Sequence, residues 1–104
     1  MDGVRLKEAG DKSLVISFEG RISRDNSKEV EEELLKLRQE NRQEQLVFDF
    51  ENLSYISSAG LRVVLQTHKI MAGFQGKLTV RNPSDFCKQV FEATGMDGVL
   101  FIES

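Results

Sequence analysis

A chain of 104 residues, 39% hydrophobic and 30% charged, holds one small core under a well-solvated surface and reads as a single domain over residues 1–104. Its formal net charge of -3 argues against a nucleic-acid backbone as the main partner, because such domains carry a basic excess. A lone cysteine, Cys87, excludes an internal disulfide. No segment approaches the roughly 20 apolar residues of a membrane helix, and the polar stretch from Met1 to Asp11 lacks the apolar core of a signal peptide. A cytoplasmic setting is the expectation.

No internal repeat or low-complexity tract interrupts the chain, and Pro83 is the only proline. A short strand is expected around Val4 to Lys7, then a turn at Ala9-Gly10-Asp11-Lys12. Leu14, Ile16 and Phe18 alternate with polar neighbours, so Ser13 to Glu19 reads as a strand. Gly20 ends that pattern. Asn26 to Glu40 reads as a helix, with Val30, Leu34 and Leu37 on one face. Asn26 is its expected N-cap, with Glu29 three residues on to reach back. Glu31, Glu32 and Glu33 near its start and Lys36 and Arg38 near its end suit the helix dipole, and also suit a plain solvated face.

Leu46-Val47-Phe48-Asp49-Phe50 is an apolar run with one acid, expected as a central strand. Glu51 to Ile56 is rich in turn formers and reads as a loop. A second helix begins near Ser57 or Ser58, with Leu61, Val64, Leu65, His68 and Ala72 as its core stripe and Gly73 and Gly76 bracketing its end. Lys77 to Arg81 alternates again. Asn82-Pro83-Ser84-Asp85 predicts a third helix start, with Asn82 as cap, Pro83 at the first helical position, and Phe86, Val90 and Phe91 as the stripe. Gly95 fits the position just past its end, and Val99 to Ile102 a last strand. Alternating units of this kind imply an α/β fold, a mostly parallel sheet of four or five strands with crossover helices and an antiparallel first strand at one edge.

Candidate chemistry is sparse. His68 shares the helical stripe with Leu61 and Leu65. It lies about 15 Å along the helix from Ser58 at about 1.5 Å per residue, too far to activate that serine. One histidine and one cysteine without ligand spacing do not make a metal site. Cys87 near a helix start reads as inert packing, although such a position can lower a thiol pKa. Asp49 reads as a structural acid bonded to loop N–H groups. No glycine-rich phosphate loop is present, so no nucleotide, cofactor or metal is expected and no catalytic residue is assigned.

Two segments carry a family resemblance. Leu46 to Leu61, ending in Ser57-Ser58-Ala59-Gly60-Leu61, resembles the hallmark of STAS domains of bacterial anti-sigma-factor antagonists. Phe18-Glu19-Gly20-Arg21-Ile22 followed by a helix resembles that family's second strand, glycine and loop. The Asn82-Pro83-Ser84 and Thr94-Gly95-Met96 segments also fit, in the right order. The resemblance implies partner switching: the antagonist binds an anti-sigma factor that is also a serine kinase of the histidine-kinase-like ATPase fold, and a sigma factor is released. Phosphorylation of a serine at the start of the second helix ends the interaction, and a phosphoserine phosphatase resets it. The alternative is a STAS scaffold in a stress-sensing assembly or a regulatory module of a lipid-transport system.

Anchored on Gly60-Leu61, the phosphoacceptor falls on Ser58, with Ser57 as second choice. Ser57 stands where the family often has Asp, and Ile22 and Ser23 stand where it often has a loop acid. From the residues alone, a serine at a helix start is equally a cap for the free N–H groups there. Arg21, Ser23, Arg24, Ile56, Ser57, Ser58, Ala59, Gly60 and Arg62 are the expected partner-binding set. A monomer is expected, with no nucleic acid and no membrane insertion.

Overall fold

The computed structural model describes residues 3–10, 13–40 and 44–103. In chain order these form β1 (Gly3–Ala9), β2 (Ser13–Ile22), α1 (Ser27–Glu40), β3 (Gln45–Ile56), α2 (Ser58–Gly73), β4 (Lys77–Arg81), α3 (Asp85–Thr94), a 3-10 turn (Met96–Gly98) and β5 (Phe101–Glu103). The strands lie side by side in the order β1-β2-β3-β4-β5. The first pair is antiparallel and the others are parallel. The mixed α/β architecture and the antiparallel edge agree with the pattern of the sequence. No helix among the described residues is long and apolar enough to cross a membrane.

Each new strand is added beside the last, so right-handed crossovers carry all three helices to one face of the sheet. Alternation sends Leu14, Ile16 and Phe18 of β2, Leu46, Phe48 and Phe50 of β3, and Leu78 and Val80 of β4 to that face, each at most 2% exposed. Val30, Leu34 and Leu37 of α1, Val64 and Met71 of α2, and Phe91 of α3 join them in one cluster. Its centre is aromatic: Phe18 lies 4.6 Å from Phe48 and 5.0 Å from Phe50, and Phe50 lies 6.4 Å from Phe91, ring centre to ring centre. Val15, on the opposite face, is buried outside this cluster.

That opposite face is polar. Lys7 of β1 reaches across β2 to Asp49 of β3, which is 2% exposed and also accepts the Glu51 N–H at 3.1 Å. Burial alone would raise the Asp49 pKa. The Lys7 ammonium, the Glu51 N–H and the nearby Arg81 charge outweigh it, so the carboxyl sits below its ordinary range and Lys7 above its own. Asp49 is thus a structural acid, tied to an edge strand as well as to the backbone. The register of β1 shifts between Leu6 and Glu8, around Lys7, a bulge that discourages further pairing at this edge.

Several elements depart from the sequence pattern. β2 continues past Glu19 to Ile22, and β3 continues through the expected loop to Ile56. Their shared register slips between Ser17 and Glu19 and again between Gly20 and Arg21, where Gly20 adopts φ 75°. Each slip breaks the two-residue period, so a strand looks like a loop. In α2 the buried stripe is Gly60, Leu61, Val63, Val64, Thr67 and Met71; Leu65 and His68 are half-buried and Ala72 is exposed. The helix is rotated so that its glycine faces the sheet. Asn82 does not cap α3: it takes φ 54°, and its N–H donates to the Glu103 carbonyl at 2.8 Å. Pro83 therefore precedes the helix, and the Ser84 hydroxyl caps it by accepting the Cys87 N–H at 3.2 Å. Gly95 ends α3 at φ 76° as expected. The chain then makes the 3-10 turn, which delays β5 to Phe101. The expected turn residues Asp11 and Lys12 lie outside the described residues.

Candidate partner-binding surface

The surface lies at the carboxyl ends of β2 and β3. Parallel pairing sets Arg21 opposite Tyr55 and Ile22 opposite Ile56. The Ser54 hydroxyl donates to the Gly20 carbonyl at 2.8 Å, and the Ser57 N–H donates to the Ile22 carbonyl at 2.9 Å. These bonds hold the loop after β2 against the turn into α2. Side chains then build the loop: the Asn26 side-chain carbonyl accepts the Ser23 N–H at 2.8 Å, and its amide donates to the Arg21 carbonyl at 2.7 Å. The Ser23 hydroxyl accepts the Asp25 N–H at 3.3 Å. Asn26 thus directly precedes α1 but ties down the loop in place of capping the helix.

At the start of α2 the two serines part roles. Ser57 is the N-cap; its Oγ accepts the Gly60 N–H at 3.3 Å. Ser58 is the first helical residue and its side chain is exposed. Gly60 makes this geometry possible. A Cβ there would come within 2.7 Å of Ile56 Cγ1 and 2.8 Å of Ile22 Cγ2, closer than carbon atoms approach. Absence of a side chain at Gly60 lets the helix start sit directly on both strand ends.

Of the expected partner-binding set, Arg21, Arg24, Ser58 and Arg62 are exposed, and Ser23, Ser57 and Ala59 are half-buried. Ile56 is 2% exposed and Gly60 is buried, so these two shape the surface from beneath and present nothing to a partner. Two residues were not anticipated there. The Arg21 guanidinium lies over the Tyr55 ring, 5.0 Å from its centre, and that ring stacks on Phe86 at 5.4 Å and 29°. Phe86, expected in the core stripe of α3, is 41% exposed; Cys87 and Phe91 take the buried positions and Val90 is half-buried. The sequence held no signal for this, since Phe86-Val90 and Cys87-Phe91 have the same spacing.

The remaining titratable candidates stay apart from this surface. His68 is half-buried, its ring 6.5 Å from that of Phe101. Cys87 is fully buried, and burial pushes its thiol pKa up, away from the reactive thiolate.

Comparison with known proteins adds to this picture. The family model described as STAS domain matches residues 4–104. The chain is 34% identical over 85 residues to BtrV of Bordetella bronchiseptica, a protein named as an anti-sigma factor antagonist, covering 82% of this chain and 72% of that one. Among solved structures, the anti-sigma factor antagonist SpoIIAA in its unphosphorylated form superposes with a TM-score of 0.80 at 20% identity, covering 97% of this chain and 87% of that one. The Bacillus cell-fate determinant SpoIIAA in its phosphorylated form gives a TM-score of 0.73 at 20% identity, covering 97% and 90%. At that identity the two structures share the fold.

Proposed function

Because this chain belongs to the STAS domain family, we propose that it is an anti-sigma-factor antagonist, acting by binding and not by catalysis. Its partner is an anti-sigma factor that is also a serine kinase of the histidine-kinase-like ATPase fold. Binding releases the sigma factor. Phosphorylation of Ser58 by the kinase ends binding, and a phosphoserine phosphatase restores it in the cytoplasm.

The observation that carries this reading is the division between the two serines. Ser57 is engaged as a cap, whereas Ser58 stands exposed at the first position of α2. The existence of a phosphorylated form of SpoIIAA, which shares this fold, supports the same switch. Phosphorylation adds about -1.5 to -2 charges and three acceptor oxygens. A helix N-terminus accommodates them through its free N–H groups and dipole. The domain therefore stays folded, and the effect falls on the partner through repulsion, desolvation and bulk. Small neighbours, Ala59 and Gly60, keep the turn low so that a partner backbone can approach.

The test is a reconstitution with the anti-sigma factor and sigma factor of the same organism. Addition of this chain to their complex releases the sigma factor. Preincubation with the anti-sigma factor and ATP puts one phosphate on Ser58, read by mass spectrometry, and abolishes the release. Failure to release the sigma factor at any concentration contradicts the proposal.

A further inference from the structure

Arg21, Tyr55 and Phe86, drawn from β2, β3 and α3, form one stack in which the guanidinium lies over the Tyr55 ring and that ring stacks on Phe86. It lies outside the core: neither Tyr55 nor Phe86 belongs to the buried cluster, and Phe86 keeps 41% of its surface exposed. Burial therefore does not account for two large rings at this place. Nor is the cation committed elsewhere. The ion pairs among the described residues are Arg5–Glu19, Lys7–Asp49 and Arg81–Glu103, and none includes Arg21. A guanidinium held over a ring by its charge keeps its N–H donors in its own plane, where they can meet a carboxylate.

The stack also abuts the turn that bears Ser58. The carbonyl of Ile22, next to Arg21, accepts the Ser57 N–H, and Tyr55 is two residues before Ser57. Resting on the functional reading above, we propose that Tyr55 and Phe86, with Arg21, extend the contact surface for the same anti-sigma factor beyond the serine turn. This extension takes a segment of that protein in which a single acidic side chain stands beside an apolar one. The acid meets Arg21 edge-on, and the apolar side chain covers the outer face of Phe86. Exposed Asp85, next to Phe86 in the chain, and exposed Asp25, in the loop that Asn26 ties to the Arg21 carbonyl, disfavour a run of acids. Tyr, Phe and Arg at the centre of an interface are the residue types that carry most binding energy.

The experiment measures affinity for the anti-sigma factor at two salt concentrations, with the melting temperature as a control. Wild type is compared with Phe86→Ala, Tyr55→Phe, Tyr55→Ala, Arg21→Glu and Ser58→Asp. Expected are losses of about tenfold or more for Phe86→Ala, Tyr55→Ala and Arg21→Glu, little change for Tyr55→Phe, and a weaker salt dependence for Arg21→Glu. Arg21 is exposed, so its variant tests the patch even where a ring deletion perturbs the fold. If wild type binds, Ser58→Asp does not, and Phe86→Ala and Arg21→Glu bind as wild type, the extension of the surface is wrong and the functional reading stands. If wild type itself does not bind, both are overturned.

Discussion

The inner phenylalanines and the Tyr55–Phe86 pair differ in what surrounds them. Phe18, Phe48, Phe50 and Phe91 are each 0% exposed and sit where all three helices meet the sheet. Tyr55 and Phe86 stack at nearly the same spacing, yet at the rim beside the start of α2, with Arg21 over the Tyr55 ring. Ring packing alone does not distinguish the groups; access to water does. The inner group holds the fold together, and the outer one is free to meet another molecule. Substitutions in the two groups should therefore separate stability from binding.

The largest expected effect is on the inner group. Phe91→Ala leaves a ring-sized void beside Phe50 and should cost about 3–5 kcal/mol, enough to unfold much of a small domain. Chemical denaturation monitored by circular dichroism checks this, and binding should fall only in proportion to the unfolded fraction. Gly60→Ala lies at the border between the two regions. Its added carbon meets Ile56 and Ile22 and should destabilise by about 1–3 kcal/mol, while also lifting the helix start away from the strand ends. Binding should then fall by more than the stability loss explains, as comparison of affinity with the denaturation midpoint would reveal.

Ser57→Ala removes a cap and should cost about 1 kcal/mol, with Ser58 still phosphorylated; a thermal melt and a kinase assay together separate cap from acceptor. The smallest effect concerns the polar face, on the other side of the sheet from the inner group. The carboxyl of Asp49 is held below its ordinary range, so its contribution is present at neutral pH and fades as pH falls through that lowered value. The Lys7 pKa is raised, so its contribution fades only as pH rises past the ordinary lysine range. Lys7→Met should lower stability at neutral pH, move the acid unfolding midpoint upward, and converge with wild type in strong acid. A pH series of thermal melts checks the sign.

Legibility in the sequence follows the same division. Where one face of a strand or helix is simply buried, periodicity reported it: Leu14-Ile16-Phe18, Val30-Leu34-Leu37 and Leu78-Val80 all lie in the core. Where two strands slip past one another at Gly20 and at Ser17, the period vanished, and the outer half of β3 read as a loop. The same slip hid Tyr55. Phe86 reads as a core residue because apolar character says that a ring is to be covered, not by what. The proposed role of Ser58 rests on family resemblance, since from the sequence a cap and an acceptor look alike; the structure shows only that the cap is Ser57.

The most direct test of the account is the affinity of the anti-sigma factor for wild type, Ser58→Ala and Ser58→Asp, with circular dichroism as a folding control. The account predicts that all three are folded, that Ser58→Ala binds, and that Ser58→Asp binds weaker by a factor of about ten or more, or about 1.4 kcal/mol. Equal binding by all three would contradict it, leaving Ser58 as an ordinary first residue of α2 and the domain as a scaffold controlled in another way.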